Sequence, residues 1–231
     1  MPILVPADST DDWRMLLRDP VKHWRHGYSA KSLADHWQGE RGFPADVQQM
    51  FASASVQGIT DAEMLLGIPE AGTKLPGGGY DSQTDLFVLA KCSEGLITMT
   101  VEGKVNEPFD EIVDKWLHGN EHEANRLVRL EGLCGILGIH VGDALGLRYQ
   151  LLHRTVSALI EAKNFSASTA VMLVHSFSTE SKWFEDYEAF GTAMGVSVES
   201  GQLTNAGTRS GQRLLLGWLT SPVKEDSQAE E

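Results

Sequence analysis

The sequence predicts an α/β fold in which helices flank a mixed central sheet that contains a β-hairpin. Short apolar runs typical of buried strands are interspersed with segments of helical period, and the turn Ser93-Glu94-Gly95 lies between two such runs. The chain has 231 residues, enough for one large core. We therefore expect a single domain over residues 1–222 and a disordered polar tail over residues 223–231.

Each part of this domain has its own pattern. Residues 1–60 contain helical segments separated by turns, which predicts an N-terminal helical cap. Residues 61–222 are expected to form the sheet core, with a helical insertion at about 108–140. Strands are predicted at 63–69 (ended by Pro69), 85–90, 96–105, 170–175 and 213–220, and the main helices of the core at 147–163 and 183–194. The loop with Pro76-Gly77-Gly78-Gly79 lies between the first two strands and could act as a flap over a site there.

The overall charge argues against a protein that coats nucleic acid. The net charge is −13 and the isoelectric point is near 5.0, whereas phosphate binding depends on clustered lysine and arginine. A local basic site remains compatible with this acidic net charge.

Cys92 and Cys134 are far apart and form no CxxC pair, so neither a disulfide framework nor a cysteine zinc site is expected. With no apolar run near 20 residues, we expect a cytoplasmic protein that does not associate with a membrane.

The stretch TMTVEGKV, residues 98–105, places charged side chains on a strand. Because successive side chains of a strand point to opposite faces, Glu102 and Lys104 share one face with Thr98 and Thr100, while Met99 and its odd-numbered neighbours fill the other face. Glu102 and Lys104 are therefore neighbours by geometry.

Asp85 opens the partner strand of this hairpin, so its carboxylate is expected near Glu102. Two adjacent carboxylates repel each other unless a positive charge lies between them, and a divalent cation would supply it. Carboxylate oxygens suit Mg²⁺ or Mn²⁺, with Lys104 stabilising or orienting a nucleophile in phosphodiester hydrolysis. The alternative is a plain ion pair between Glu102 and Lys104, since Glu161-Ala162-Lys163 and Glu180-Ser181-Lys182 have the same D/E-x-K spacing.

The pattern of Asp85 followed by a turn and then Glu102-Gly103-Lys104 resembles the signature of the PD-(D/E)XK nuclease superfamily, and the order of elements is similar to its restriction endonuclease-like fold. The resemblance implies Asp85, Glu102, Lys104 and Gln150 as catalytic residues, and Asp85, Glu102 and Glu70 as metal ligands, with Glu63 as a second choice to Glu70. It also implies that Arg148 and His153, on the helix that carries Gln150, bind substrate.

Four stretches resemble a group of uncharacterised bacterial proteins usually placed near this superfamily; they cover residues 23–37, 82–91, 101–109 and 147–162. The sequence departs from the superfamily pattern in two ways. Thr84 stands where the motif has proline, and roughly 40 residues separate Lys104 from the helix of Gln150, so a helical insertion is required.

Three functions remain as alternatives at this point. The first is a metal-dependent nuclease acting on DNA or RNA. The second is a binding or regulatory module with the same fold but without catalysis, and the third is an α/β enzyme of another class acting at the face of helix 147–163. A homodimer is left open by the sequence.

Overall fold

A computed structural model describes residues 7, 9–17, 19–118 and 122–224. The predicted tail therefore lies outside the described residues from position 225 onward. Within the described ranges the helices are α1 (Thr10–Leu16), α2 (Pro20–His23), α3 (Ser29–Trp37), α4 (Ala45–Ala52), α5 (Val113–His118), α6 (Glu123–Leu137), α7 (Val141–Ala144), α8 (Tyr149–Asn164) and α9 (Phe184–Ala193). The strands are β1 (Glu63–Thr73), β2 (Ser82–Cys92), β3 (Gly95–Lys104), β4 (Thr169–Ser176), β5 (Leu203–Arg209) and β6 (Gln212–Thr220).

The strands form one six-stranded mixed sheet in the order β1-β2-β3-β4-β6-β5. β3, β4 and β6 run parallel to one another, and the other neighbours are antiparallel. The predicted α/β class and central hairpin are confirmed: β2 and β3 form the hairpin, and the chain from β3 to β4 crosses through α5 to α8. The carboxyl ends of β3 and β4 therefore lie at the same edge of the sheet, where the predicted site residues are located.

Helices cover both faces of the sheet, and a separate apolar core lies on each face. One core contains residues of α6, α8 and α9 packed against the even-numbered side chains of β4, such as Met172 and Val174. The other contains residues of α1, α3 and α4 packed against Met99, Val101 and Leu173. Met99 and Val101 thus occupy the face predicted for odd positions of β3. None of the helices in the described part of the chain combines the length and apolar character needed to cross a bilayer.

Two predictions about strands were wrong. β1 continues to Thr73 instead of ending at Pro69, which pairs with Leu86 inside the ladder. Proline is tolerated there because β1 is an edge strand. β5 was not predicted, because its sequence LTNAGTR is mostly polar. It pairs with β6 through the two-residue turn Ser210-Gly211, in which both residues have positive φ, as a tight hairpin turn requires.

Candidate active site

Three carboxylate residues lie in one row across β1, β2 and β3. The pairs on either side of Glu70, Pro69 with Leu86 and Ala71 with Thr84, place it opposite Asp85. The register of β2 with β3, extended one residue beyond the pair of Leu86 with Val101, places Asp85 opposite Glu102. The register therefore places the three acids that were predicted as metal ligands at neighbouring positions of three strands, although their carboxylate oxygens do not all lie within 4.8 Å of one another.

The backbone of β3 holds Asp85 in this row. The amide of Gly103 donates a hydrogen bond of 2.8 Å to Asp85 Oδ2. A side chain at position 103 would also crowd Ser29, because the Cβ and the carbonyl oxygen of Ser29 would each lie 3.3 Å from a Cβ added at Gly103. Glycine between Glu102 and Lys104 thus lets the N-terminal helical layer approach the strand closely.

Glu102 is the centre of a buried network and is only 3% exposed. Its Oε1 accepts hydrogen bonds from Lys104 Nζ at 2.9 Å and from Gln150 Nε2 at 2.6 Å. Its Oε2 accepts a bond of 2.6 Å from Arg154 Nε. A carboxylate offers about four lone-pair sites, so these three bonds leave roughly one acceptor position on Oε2.

Hydrogen bonds between β3 and α8 set the position of Gln150 and Arg154 over Glu102. Thr98 Oγ1 donates to the carbonyl oxygen of Ala158 at 3.0 Å, and Thr100 Oγ1 donates to that of Arg154 at 3.1 Å. The even face of β3 therefore lies against α8, as the alternation of the strand predicts. Since Gln150 and Arg154 are four residues apart, they lie on one side of the helix and reach the same carboxylate.

Arg154 connects this network to the start of β2. Its Nη1 donates to Ser82 Oγ at 2.9 Å, and Ser82 Oγ lies 2.8 Å from His153 Nδ1. His153 Nε2 lies 3.7 Å from a carboxylate oxygen of Asp110. Because the arginine can only donate, the serine hydroxyl is free to donate to the histidine. The result is a continuous polar chain from Glu102 to the loop after β3.

The pKa values of the three acids follow the distribution of cations around them. Burial opposes ionisation of Glu102, but Arg154 and Lys104 outweigh it and lower its pKa. Burial and the charge of Glu102 raise the pKa of Asp85 to about 7. Burial and the charge of Asp85 raise the pKa of Glu70 to about 9. The positive charge around the row is thus concentrated at the Glu102 end.

The backbone at Glu70 is strained. Its φ is +52°, a left-handed conformation that glutamate adopts at a cost, in the middle of a paired strand. Such strain is characteristic of positions where a side chain is held for a function. At Glu70 the strain and the raised pKa occur together in the predicted ligand.

We predict that Glu70→Gln stabilises the metal-free protein, and does so more strongly at pH 8 than at pH 5. A carboxyl whose folded pKa is above its unfolded value keeps its proton longer in the folded state, so stability falls as pH rises from about 4 towards 9. Removing the charge removes this loss, which we expect to be worth about 1 kcal/mol at pH 8. Urea unfolding of both proteins in EDTA at pH 5 and pH 8 measures the difference in the free energy of unfolding. Glu70→Gly is the matched variant that also relieves the backbone strain. If Glu70→Gly raises the free energy of unfolding and Glu70→Gln does not, the destabilisation at this position comes from the backbone conformation and not from the charge.

The two predicted substrate-binding residues differ in position. Arg148 lies away from the row of acids: its Nε donates to Asp186 Oδ2 at 3.0 Å, and its guanidinium lies over the ring of Trp183. His153 lies beside Ser82 and Arg154, but burial lowers its pKa to about 4, so the ring is neutral at pH 7. His153 could therefore contact a phosphate only as a neutral group.

A second polar cluster occupies the other face of the sheet. Among the described residues, the only group of three with metal-ligating atoms within 4.8 Å of one another is His36, Asp46 and His175. Trp37 Nε1, which can only donate, lies 3.0 Å from His175 Nδ1, so this nitrogen accepts and the proton is on Nε2. That Nε2 lies 2.8 Å from Ser221 Oγ, which in turn donates to Asp46. With both ring nitrogens of His175 engaged, the cluster is hydrogen-bonded without an ion.

Arg154 and Ser82 are site residues that the sequence patterns did not identify. Arg154 follows Gln150 by one helical turn, and that spacing would have placed it on the same carboxylate. Ser82 carried no comparable pattern, because it precedes the apolar run of β2 and its position depends on the β1–β2 register.

Comparisons with known proteins place the chain in a family without assigning an activity. No curated protein matches the sequence, and no solved structure matches it either. A family model described as "Domain of unknown function (DUF6946)" matches residues 6–223, which include every strand and helix found in the described residues. The chain therefore belongs to the DUF6946 family.

Proposed function

We propose that this protein is a metal-dependent phosphodiester hydrolase that acts on nucleic acid. The observation that carries the proposal is the row of Glu70, Asp85 and Glu102 on three adjacent strands, with Lys104 bonded to Glu102. Three acids and a lysine beside buried strands cost stability and more often mark a functional site than a structural one. The order of a helix, three antiparallel strands, a crossover helix and a parallel strand supports a restriction endonuclease-like fold.

The residues of the row fit a hard divalent cation such as Mg²⁺ or Mn²⁺. Glu70, Asp85 and Glu102 offer carboxylate oxygens, the ligands these ions prefer. Glu70 and Asp85 also border a cavity of about 10 Å³, which is space for about one water molecule. The other residues that line this cavity are apolar, and Glu102 is not one of them. In addition, Gln150 Oε1 is buried without a hydrogen-bond partner among the described residues, so an acceptor beside Glu102 is unused.

Each side chain would have a separate role. Asp85 and Glu70, which are half-buried, form the more open end of the row, and Glu102 with Gln150 forms its closed end. When bound, the cation would lower the pKa of water and offset the charge that builds up on the phosphate. The ammonium of Lys104 would stabilise the same charge and orient the attacking water. A bond forms between the water oxygen and phosphorus, the bond from phosphorus to one ester oxygen breaks, and a proton passes to the released alcohol.

A second candidate function is a binding module of the same fold without catalysis. The contact of Arg154 with Glu102 favours it, because a guanidinium is a permanent cation bonded to the carboxylate that would otherwise hold the metal. In this case Arg154 and Lys104 balance the acids, and no ion is required.

Metal titration with a hydrolysis assay distinguishes the two functions. The hydrolase is expected to bind Mn²⁺ in calorimetry at pH 8 and to cleave single-stranded or duplex DNA or RNA only with Mg²⁺ or Mn²⁺ present, and Asp85→Asn is expected to lose both properties. Asp143→Asn, in the short helix α7, is the matched control. Absence of metal binding and of cleavage in the wild-type protein would reject the hydrolase in favour of the binding module.

A further inference from the structure

A cavity of about 740 Å³ opens between the glycine loop and the helical insertion. Its volume is within the range of about 300–1,000 Å³ typical of small-molecule sites. The wall is formed by Gly77, Gly78 and Gly79 on one side and by residues of α5, α6 and the start of α8 on the other. Ser82, His153 and Arg154 also line it, so the cavity adjoins the polar chain that leads to Glu102.

Two arginines on the cavity wall lack acidic partners in the part of the chain that the structure describes. Arg126 and Arg129 form no ion pair with a described carboxylate; they donate instead to backbone carbonyls, Arg126 to Trp116 and Arg129 to Gly78 and Tyr80. A carbonyl does not neutralise a guanidinium charge. Asp81 and Asp110 also line the cavity, but neither pairs with these two arginines, so the α6 side of the cavity favours an anionic ligand.

Aromatic rings accompany these cations. Trp116 and Tyr149 stack with ring centroids 3.9 Å apart and planes 13° apart, and the guanidinium of Arg126 lies 5.2 Å from the Trp116 ring centroid. Tyr80 also lines the cavity and is 86% exposed. A large aromatic side chain that is this exposed to solvent beside a cavity offers a ring face on which a planar ligand can stack.

The glycine loop is held in place against α6. A Cβ at Gly77 would lie 2.7 Å from the Cα of Arg129, and φ at Gly77 is +79°, so only glycine fits there without a shift. Tyr80 is therefore presented at the cavity by a loop packed on the helix that carries both arginines. One wall of the cavity is thus fixed by the close packing of Gly77 on α6.

We propose that this cavity binds a nucleotide unit, with its phosphate at Arg126 and Arg129 and its base stacked on Tyr80. The carboxylates of Asp81 and Asp110, which also line the cavity, would accept hydrogen bonds from an exocyclic amino group of adenine, guanine or cytosine. The role of this cavity rests on the proposed hydrolase function. In that function, the cavity would hold a base displaced from the strand next to the cleaved bond.

The test is calorimetry of the full-length protein in EDTA with AMP, adenosine and inorganic phosphate as separate ligands. AMP is expected to bind at least tenfold more tightly than adenosine or phosphate alone, because it uses both the arginines and the ring. Arg126→Gln is expected to weaken the binding of AMP at least tenfold, and Tyr80→Ala is expected to weaken it at least fivefold. Tyr80 is so exposed that its replacement should leave the fold intact, and Arg14→Gln, on the surface of α1, is the control.

A second set of ligands identifies the source of the nucleotide. A single-stranded oligoadenylate that binds at least as tightly as AMP assigns the site to nucleic acid, and binding of AMP without the oligonucleotide assigns it to a free nucleotide. Lys104→Met should leave AMP binding unchanged, which separates this site from the proposed catalysis. The proposal is overturned if AMP binds no more tightly than phosphate alone, or if both Arg126→Gln and Tyr80→Ala leave its affinity unchanged.

Discussion

Glu102→Ala is expected to lower the free energy of unfolding by about 3–5 kcal/mol. The substitution leaves Lys104 and Arg154 buried without their shared carboxylate, since these side chains are 5% and 9% exposed. An uncompensated charge in a buried position costs far more than the ion pair itself contributes. Gln150 would also lose the acceptor for its amide. Urea unfolding at pH 7, followed by circular dichroism, measures the loss.

Glu94→Ala is the matched control for this substitution. Glu94 pairs with Arg213 at 3.0 Å, but its side chain is 49% exposed, so breaking this pair should cost about 0–1 kcal/mol. If Glu102→Ala and Glu94→Ala were equally stable, the charges around Glu102 would be solvated or compensated by other groups. The description of Glu102 as the centre of a buried network would then be wrong.

Lys104→Met is expected to reduce the kcat of phosphodiester hydrolysis by at least about 100-fold, a loss typical of removing one group that stabilises transition-state charge. Methionine keeps an unbranched apolar chain in place of the lysine stem, which lies over the Phe109 ring with Nζ 5.0 Å from the ring centroid. Glu102 keeps Arg154 and Gln150 as partners, so the fold should survive. Steady-state cleavage of a fluorescent oligonucleotide with Mn²⁺ present measures the rate.

Metal affinity shows whether Lys104 acts in catalysis or only supports the structure. Removing a cation next to the acids should leave Mn²⁺ binding unchanged or tighter, while kcat falls. Lys91→Met, which breaks an exposed pair with Glu63 on the same sheet, is the control and should cleave at the wild-type rate. Cleavage by Lys104→Met within about threefold of wild type would remove Lys104 from the mechanism.

The part of the site that could be predicted depends on local periodicity. Alternation along β3 put Glu102 and Lys104 on one face, and Asp85 was expected beside them; both features follow from the geometry of a hairpin. The strand of Asp85 was predicted to begin at that residue, but β2 begins three residues earlier, at Ser82. Gln150 was implied only by the resemblance to the nuclease superfamily, and its side-chain amide does donate a hydrogen bond to Glu102. Asp85, Glu102 and Lys104 are related by short-range rules that a single sequence contains, whereas Gln150 lies 48 residues from Glu102.

The parts that could not be predicted depend on long-range register. Ser82 joins the polar chain through the β1–β2 register, in which it pairs with Thr73, and Asp110 joins it through the loop after β3. No periodic pattern specifies either position. The cavity at Arg126 and Arg129 arises because the glycine loop packs on α6, where Gly78 and Arg129 meet although they are 51 residues apart in sequence. β5 was missed for a different reason: it is a polar edge strand, and only the Ser210-Gly211 turn indicates it.

An anomalous difference map from a crystal soaked in Mn²⁺ at pH 8 decides whether the acidic row is a metal site. A peak is expected in contact with the carboxylates of Asp85 and Glu102, and it should be lost in Asp85→Asn. A map without a peak beside these residues, or with its peak at His36, Asp46 and His175 instead, would contradict the assignment of the acidic row as the metal site.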